Sequence, residues 1–84
     1  MSLQVVYEEQ AIDQAAGFLA HDPAGVQQMM DAVDRLTDEP RPALSFPYGS
    51  PDLRRLRAGR YRVMYEIRDD SILVGNIARA LPGR

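Results

Sequence analysis

The sequence predicts a single α+β domain in which an antiparallel helix hairpin packs on one face of a small, mainly antiparallel sheet, in the order β-α-α-β-β-β. Three observations carry this. Residues 61–67 alternate strictly, with Tyr61, Val63, Tyr65 and Ile67 on one side and Arg62, Met64 and Glu66 on the other, the mark of a strand with unlike faces. Asp22 followed by Pro23 starts a helix directly after another segment of helical period. Residues 71–79, SILVGNIAR, form an apolar run suited to an inner strand. A chain of 84 residues holds one domain, 1–84.

Taken in order, residues 3–7 (LQVVY) read as a short β-branched strand. Residues 9–20 read as a helix with Ile12, Ala15, Ala16 and Leu19 on one face, weakened at Gly17 by about 1 kcal/mol relative to Ala. A second helix over about 23–37 has Asp22 as N-cap, Pro23 at its first position and a stripe of Val26, Met29, Met30, Val33 and Leu36 assigned to the core. It stops before Pro40 and Pro42. Residues 38–52 contain four prolines and one glycine and read as a long irregular loop, with Phe46 and Tyr48 tucked beneath it as a satellite cluster. Strands over 53–57, 60–68 and 71–79 follow, joined by turns at 58–59 and 69–70. Gly75 marks a bulge or a close approach, and residues 81–84 read as a frayed tail. The helices cover one face of the sheet; the other is open and lined by the arginine-rich hairpin.

Composition narrows the chemistry. No cysteine means no disulfide and no thiolate metal site, and the lone His21, read as a helix C-terminal cap, forms no cluster. No metal, no cofactor and no metal-ligand set are expected. No apolar run approaches the ~20 residues that span a bilayer, and no cationic-then-apolar leader opens the chain, so the expectation is a cytoplasmic protein without membrane contact. The net charge of −2 is unevenly spread. Residues 1–34 carry six acids and no base, whereas residues 51–84 carry eight arginines against four acids. All ten basic residues are arginine, planar and always charged, suited to bidentate contact with phosphate. Arg54, Arg55, Arg57, Arg60 and Arg62 are the candidate phosphate or RNA contacts. The competing explanation for them is edge-strand charge that blocks sheet extension, or salt bridges to Glu66 or Asp52. Tyr61 and Tyr65 alternate with Val63 and Ile67, which favours core packing over base stacking.

The element order and two phrases together resemble the RelE/ParE superfamily of bacterial type II toxin–antitoxin toxins. The first phrase runs from Arg55 to Tyr65 and follows the pattern basic–Leu–Arg–x–Gly–x–Tyr–Arg–(Val/Leu)–x–Tyr. The second, VQQMMDAVDRLTDEP from Val26 to Pro40, is similar to the family's second helix, which ends in Leu–x–x–x–Pro. The resemblance covers nearly the whole chain. It implies a toxin neutralised by a cognate antitoxin in a hetero-oligomer, through an acidic segment or helix. RelE-type members cleave mRNA on the ribosome as metal-independent endoribonucleases; ParE-type members poison DNA gyrase.

The resemblance also implies roles. Arg62 takes the place of the family's phosphate-contacting arginine, Arg55 that of a basic residue on the preceding strand, and Arg79 or Arg84 that of a C-terminal arginine. The family's closing Val–Gly–His–Arg phrase and following Tyr have no counterpart in residues 77–84, IARALPGR. A nuclease of this type needs a group to take the 2′-OH proton, and arginine, with its pKa above about 12, serves only to stabilise charge. Glu66 is the leading base candidate, with Tyr61 and Tyr65 behind it. Three readings stay open: ribosome-dependent endoribonuclease, gyrase inhibitor, or a catalytically degenerate antitoxin-binding member.

Overall fold

The computed structural model describes residues 3–80; the tail expected at 81–84, with Arg84, lies outside the described residues. The elements are β1 (Gln4–Tyr7), α1 (Glu9–Leu19), α2 (Pro23–Arg35), β2 (Ser45–Ser50), β3 (Leu53–Ala58), β4 (Tyr61–Ile67) and β5 (Ser71–Arg79). They form one five-stranded sheet in the order β1-β5-β4-β3-β2. β1 runs parallel to β5 and the other neighbours are antiparallel. The α+β class and the helix hairpin over a mainly antiparallel sheet are as the sequence predicts.

β4 is the centre. Tyr61, Val63 and Tyr65 are buried against the helices, as the alternation requires. They meet Met29 and Val33 of α2, Leu36 just past its end, and Ile72, Val74 and Ile77 of β5 in one core. Burial of aliphatic side chains of this size stabilises by about 1.5–3 kcal/mol each. The Tyr61 ring packs on Phe18 of α1, centroids 5.1 Å apart. Its hydroxyl donates to Asp22 Oδ2 at 2.8 Å, while Asp22 Oδ1 accepts from the Gly25 amide at 3.1 Å and caps α2. Tyr65 anchors the other end of the strand. A directional chain runs from Arg54 Nε to Ser45 Oγ (2.6 Å), from Ser45 to the Tyr65 hydroxyl (2.6 Å) and from Tyr65 to the Pro40 carbonyl (2.6 Å). These bonds tie the segment after α2 to the core.

The β3–β4 turn needs glycine at Gly59. Its φ is +60°, and a Cβ there would stand 3.2 Å from Gln28 of α2. Gly75 is the extra residue of a bulge between Met64 and Tyr65 of β4, and a Cβ on it would come within 2.8 Å of Glu8 Oε1. Both expectations for Gly75 hold at once. Past Val74, β5 has outrun β1, and α1 closes the exposed edge. Gln14 Oε1 accepts from the Ile77 amide at 2.6 Å, and Gln10 and Gln14 donate to the Asn76 side chain at 3.0 and 2.9 Å.

Four expectations are corrected. Residues 38–52 are not a continuous loop, because β2 occupies Ser45–Ser50. An edge strand tolerates Pro47, which has no N–H to donate, and the pairing with β3 is irregular between Pro47 and Ser50, where Gly49 sits at φ +84°. Phe46 and Tyr48 do not tuck beneath this segment; they are 51% and 55% exposed, because only Ser45 of β2 points into the core. The inward face of α1 is Ala11, Ala15 and Phe18, leaving Ile12 and Leu19 half exposed. Met30 faces out of α2 rather than into the core.

Two stability predictions follow from the tyrosine anchors. Tyr65→Phe strands the Pro40 carbonyl and is expected to cost about 1–3 kcal/mol in urea unfolding, with the m-value unchanged. The Asp22 carboxyl is held below the usual carboxylate range, first by the Tyr61 hydroxyl and then by the Gly25 amide. Its contribution is complete above the unfolded value of about 4 and is lost as pH falls through the lower folded value. Asp22→Asn is therefore expected to flatten that acid limb of the stability-versus-pH curve, read by denaturant unfolding at successive pH values.

Candidate functional site: the open face of the sheet

The alternation that sends the two tyrosines inward sends Arg62, Met64 and Glu66 outward. Strand register extends this to neighbouring strands. Arg57 pairs directly with Arg62, and Arg62 with Ala78. The next row, about 7 Å along the strands, is Phe46, Arg55, Met64 and Asn76. The third is Leu53, Glu66 and Leu73.

The sheet splits the arginines expected to act together. Arg55, Arg57 and Arg62 share the open face, exposed and without a carboxylate partner among the described residues. Arg54 pairs with Tyr65, faces the helix side and spends its guanidinium on Ser45 Oγ, the Ser45 carbonyl (3.0 Å) and the Pro51 carbonyl (3.1 Å). Arg60, in the turn, lies 3.9 Å from Asp22 on the helix side. Arg79 pairs with Tyr61 on that same side, and its charge helps to lower the Asp22 carboxyl. Arg79 thus stands across the sheet from Arg62.

Glu66 is on the open face but not beside Arg62. The four residue steps from one to the other separate their Cα atoms by about 13 Å along β4. Its carboxylate is taken by Arg68, whose Nη2 lies 2.9 Å away, and not by Arg57. Asp52, the other proposed partner for Arg62, is held by Arg41 at 2.5 Å. Tyr61 and Tyr65 are buried on the helix side, and the Tyr61 hydroxyl is pushed up by burial and by the Asp22 carboxylate. Neither is placed to meet a ligand on the open face. His21 lies in the α1–α2 turn, where its amide donates to the Phe18 carbonyl.

What remains is an opposed pair of like charges with a third arginine one row away. Like charges directly opposite on a sheet face repel, at a cost of about 0.2–1 kcal/mol relative to neutral pairs. An anion placed between Arg57 and Arg62 reverses the sign of that interaction. The face can stabilise developing negative charge. Among the described residues no cluster of His, Asp or Glu is arranged to hold a metal ion, and no helix is long and apolar enough to cross a membrane. Two open clefts lie away from this face: one of about 350 Å³ between α2 and residues 42–44, lined by Leu36 and Leu56 among others, and one of about 390 Å³ lined by Asp22, Gln28 and Arg60 among others.

Phe46 was missed as a member of this face. The signal was an aromatic residue within Ser45–Ser50, just before a Pro–Asp turn and an arginine-rich strand, but Pro47 and Gly49 concealed the strand that places it.

Arg57→Gln is expected to raise stability by about 0.2–1 kcal/mol at low salt, with the gain vanishing at about 1 M salt, in paired denaturant titrations.

Comparison with known proteins puts this geometry in context. The family model described as the ParE toxin of the type II toxin–antitoxin system, parDE, matches residues 6–80. No curated protein matches the sequence. Among solved structures, the chromosomal ParDE system of P. aeruginosa superimposes with a TM-score of 0.78 at 14% identity, covering 95% of this chain and 98% of that one. The RelBE2 toxin–antitoxin complex of Mycobacterium tuberculosis gives 0.75 at 18% identity, over 94% and 99%. The YoeB dimer of Staphylococcus aureus gives 0.72 at 15%, over 96% and 100%. At these identities the structural likeness establishes the fold.

Proposed function

Since the chain belongs to the ParE toxin family of type II toxin–antitoxin systems, we propose that it is a RelE-like toxin that binds and cleaves ribosome-bound mRNA through the open face and is neutralised by a cognate antitoxin. The observation that carries this reading is the opposed Arg57–Arg62 pair with Arg55 beside it. Three guanidinium groups without a carboxylate partner among the described residues, on one exposed face, suit a phosphodiester, whose two non-bridging oxygens together accept a bidentate contact.

In metal-independent cleavage the 2′-oxygen attacks the adjacent phosphorus and the bond to the 5′-oxygen breaks, leaving a cyclic phosphate and a free 5′-hydroxyl. The phosphorane formed on the way carries extra negative charge on its non-bridging oxygens. Arg57 and Arg62 suit that charge, and Arg55 the neighbouring phosphate. The attacking hydroxyl's proton passes to a group other than Glu66, which is too far along β4 and engaged with Arg68.

A second reading, a ParE-like gyrase inhibitor, is favoured by this same absence of an acid–base group beside Arg62 among the described residues. On either reading the partner is an antitoxin. The neighbours of ParDE and RelBE type are toxin–antitoxin systems, and a net +4 over residues 51–84, from eight arginines and four acids, suits an acidic antitoxin segment laid over the open face.

Expressed alone, the protein is expected to arrest growth with mRNA cut on the ribosome, and Arg62→Ala to abolish the arrest without changing thermal stability. Arrest with intact mRNA and an induced DNA-damage response would give the function to gyrase instead. An Arg62→Ala protein that is folded and fully toxic would remove Arg62 from the site.

A further inference from the structure

Phe46 is not part of the core. It sits on the edge strand β2, 51% exposed, where edge strands more often carry polar or charged side chains. Register places it across from Arg55 on the open face, in the row next to the Arg57–Arg62 pair. Phe46 and Arg55 are thus cross-strand neighbours whose flat groups are within reach of one another. The two rows are about 7 Å apart along the strands, a separation that one extended nucleotide covers. Single-stranded nucleic acid is held by this combination: cations that track the backbone, and an aromatic face on which a base stacks.

We propose that Phe46 is a base-stacking platform for single-stranded RNA, seating the nucleobase next to the phosphate gripped by Arg57 and Arg62. This rests on the open face being an RNA site, and it adds a determinant of where along the strand the protein engages. Arg55, across from Phe46 in the same row, lies on the same base, so the base meets both an aromatic ring and a guanidinium plane. Stacking strength is greatest for purines, so the platform favours a purine at that nucleotide. A paired base has no free face, which restricts the site to unpaired RNA. An acidic peptide would use the arginines but has no need of the ring.

The chain contains no tryptophan, so Phe46→Trp introduces a single indole as reporter. With the purified toxin and a fluorescein-labelled, purine-containing RNA hexanucleotide, Phe46→Ala is expected to weaken binding about tenfold. Phe46→Trp is expected to retain affinity and to lose indole fluorescence when unlabelled RNA of the same sequence binds. Both variants should unfold cooperatively well above the assay temperature, since the side chain lies outside the core. Unchanged affinity in Phe46→Ala, or an indole that stays unquenched with RNA bound, overturns the platform. RNA binding with quenching by a protein that leaves ribosomal mRNA intact keeps the platform and overturns the cleavage reading. A parent protein that binds no RNA overturns both.

Discussion

Two tyrosine hydroxyls on one strand set the geometry on which everything else depends. Tyr61 reaches back to the carboxylate that caps α2, and Tyr65 reaches the segment that leaves α2. They are separated by one inward valine, so β4 is pinned at both ends on the same face. A slip of one residue would bury Arg62, Met64 and Glu66 and expel both rings. The buried hydrogen bonds therefore fix more than the core. They also fix which residues are delivered to the far side of the sheet, and at what spacing.

That far side illustrates how one residue type divides its labour by neighbour. Arg54 and Arg55 are adjacent in sequence and opposite in role. The first is consumed by three bonds to Ser45 and Pro51, the second stands exposed beside Phe46. Arg60 is drawn toward Asp22, whereas Arg57 and Arg62 are left facing each other. Nearby carboxylates do exist, but Arg41 and Arg68 have taken them. The repulsion that remains is a small local cost, of the kind a protein carries where it must meet an opposite charge.

Much of this was legible in the sequence. The Asp22–Pro23 start, the alternation of β4 and the double meaning of Gly75 came from local rules with clear physical causes. The division between Arg54 and Arg55 was legible in principle, since alternation carried through the Ala58–Arg60 turn puts Arg54 with Tyr65. β2 was hidden because Pro47 and Gly49 argue against a strand, while an edge position waives the objection. The face of α1 was hidden for another reason. Ala11, Ile12, Ala15, Ala16, Phe18 and Leu19 offer two apolar stripes, and only the sheet decides which is buried. The pairing of Glu66 with Arg68 depends on how β4 ends, which no periodicity encodes.

The broken edge of the sheet has a consequence of its own. β2 is one of the sheet's two edge strands, β1 being the other, and an edge strand with regular backbone groups is a template on which further chains can add. Here Pro47 removes one donor, Gly49 turns the backbone into a conformation closed to most residues, and the pairing loses step before Ser50. A copy arriving at this edge finds no regular ladder to extend. Phe46 can therefore stand as an exposed aromatic on this edge without a regular ladder beside it for strand addition. The same irregularity that hid the strand from sequence reasoning keeps this edge from serving as a regular template.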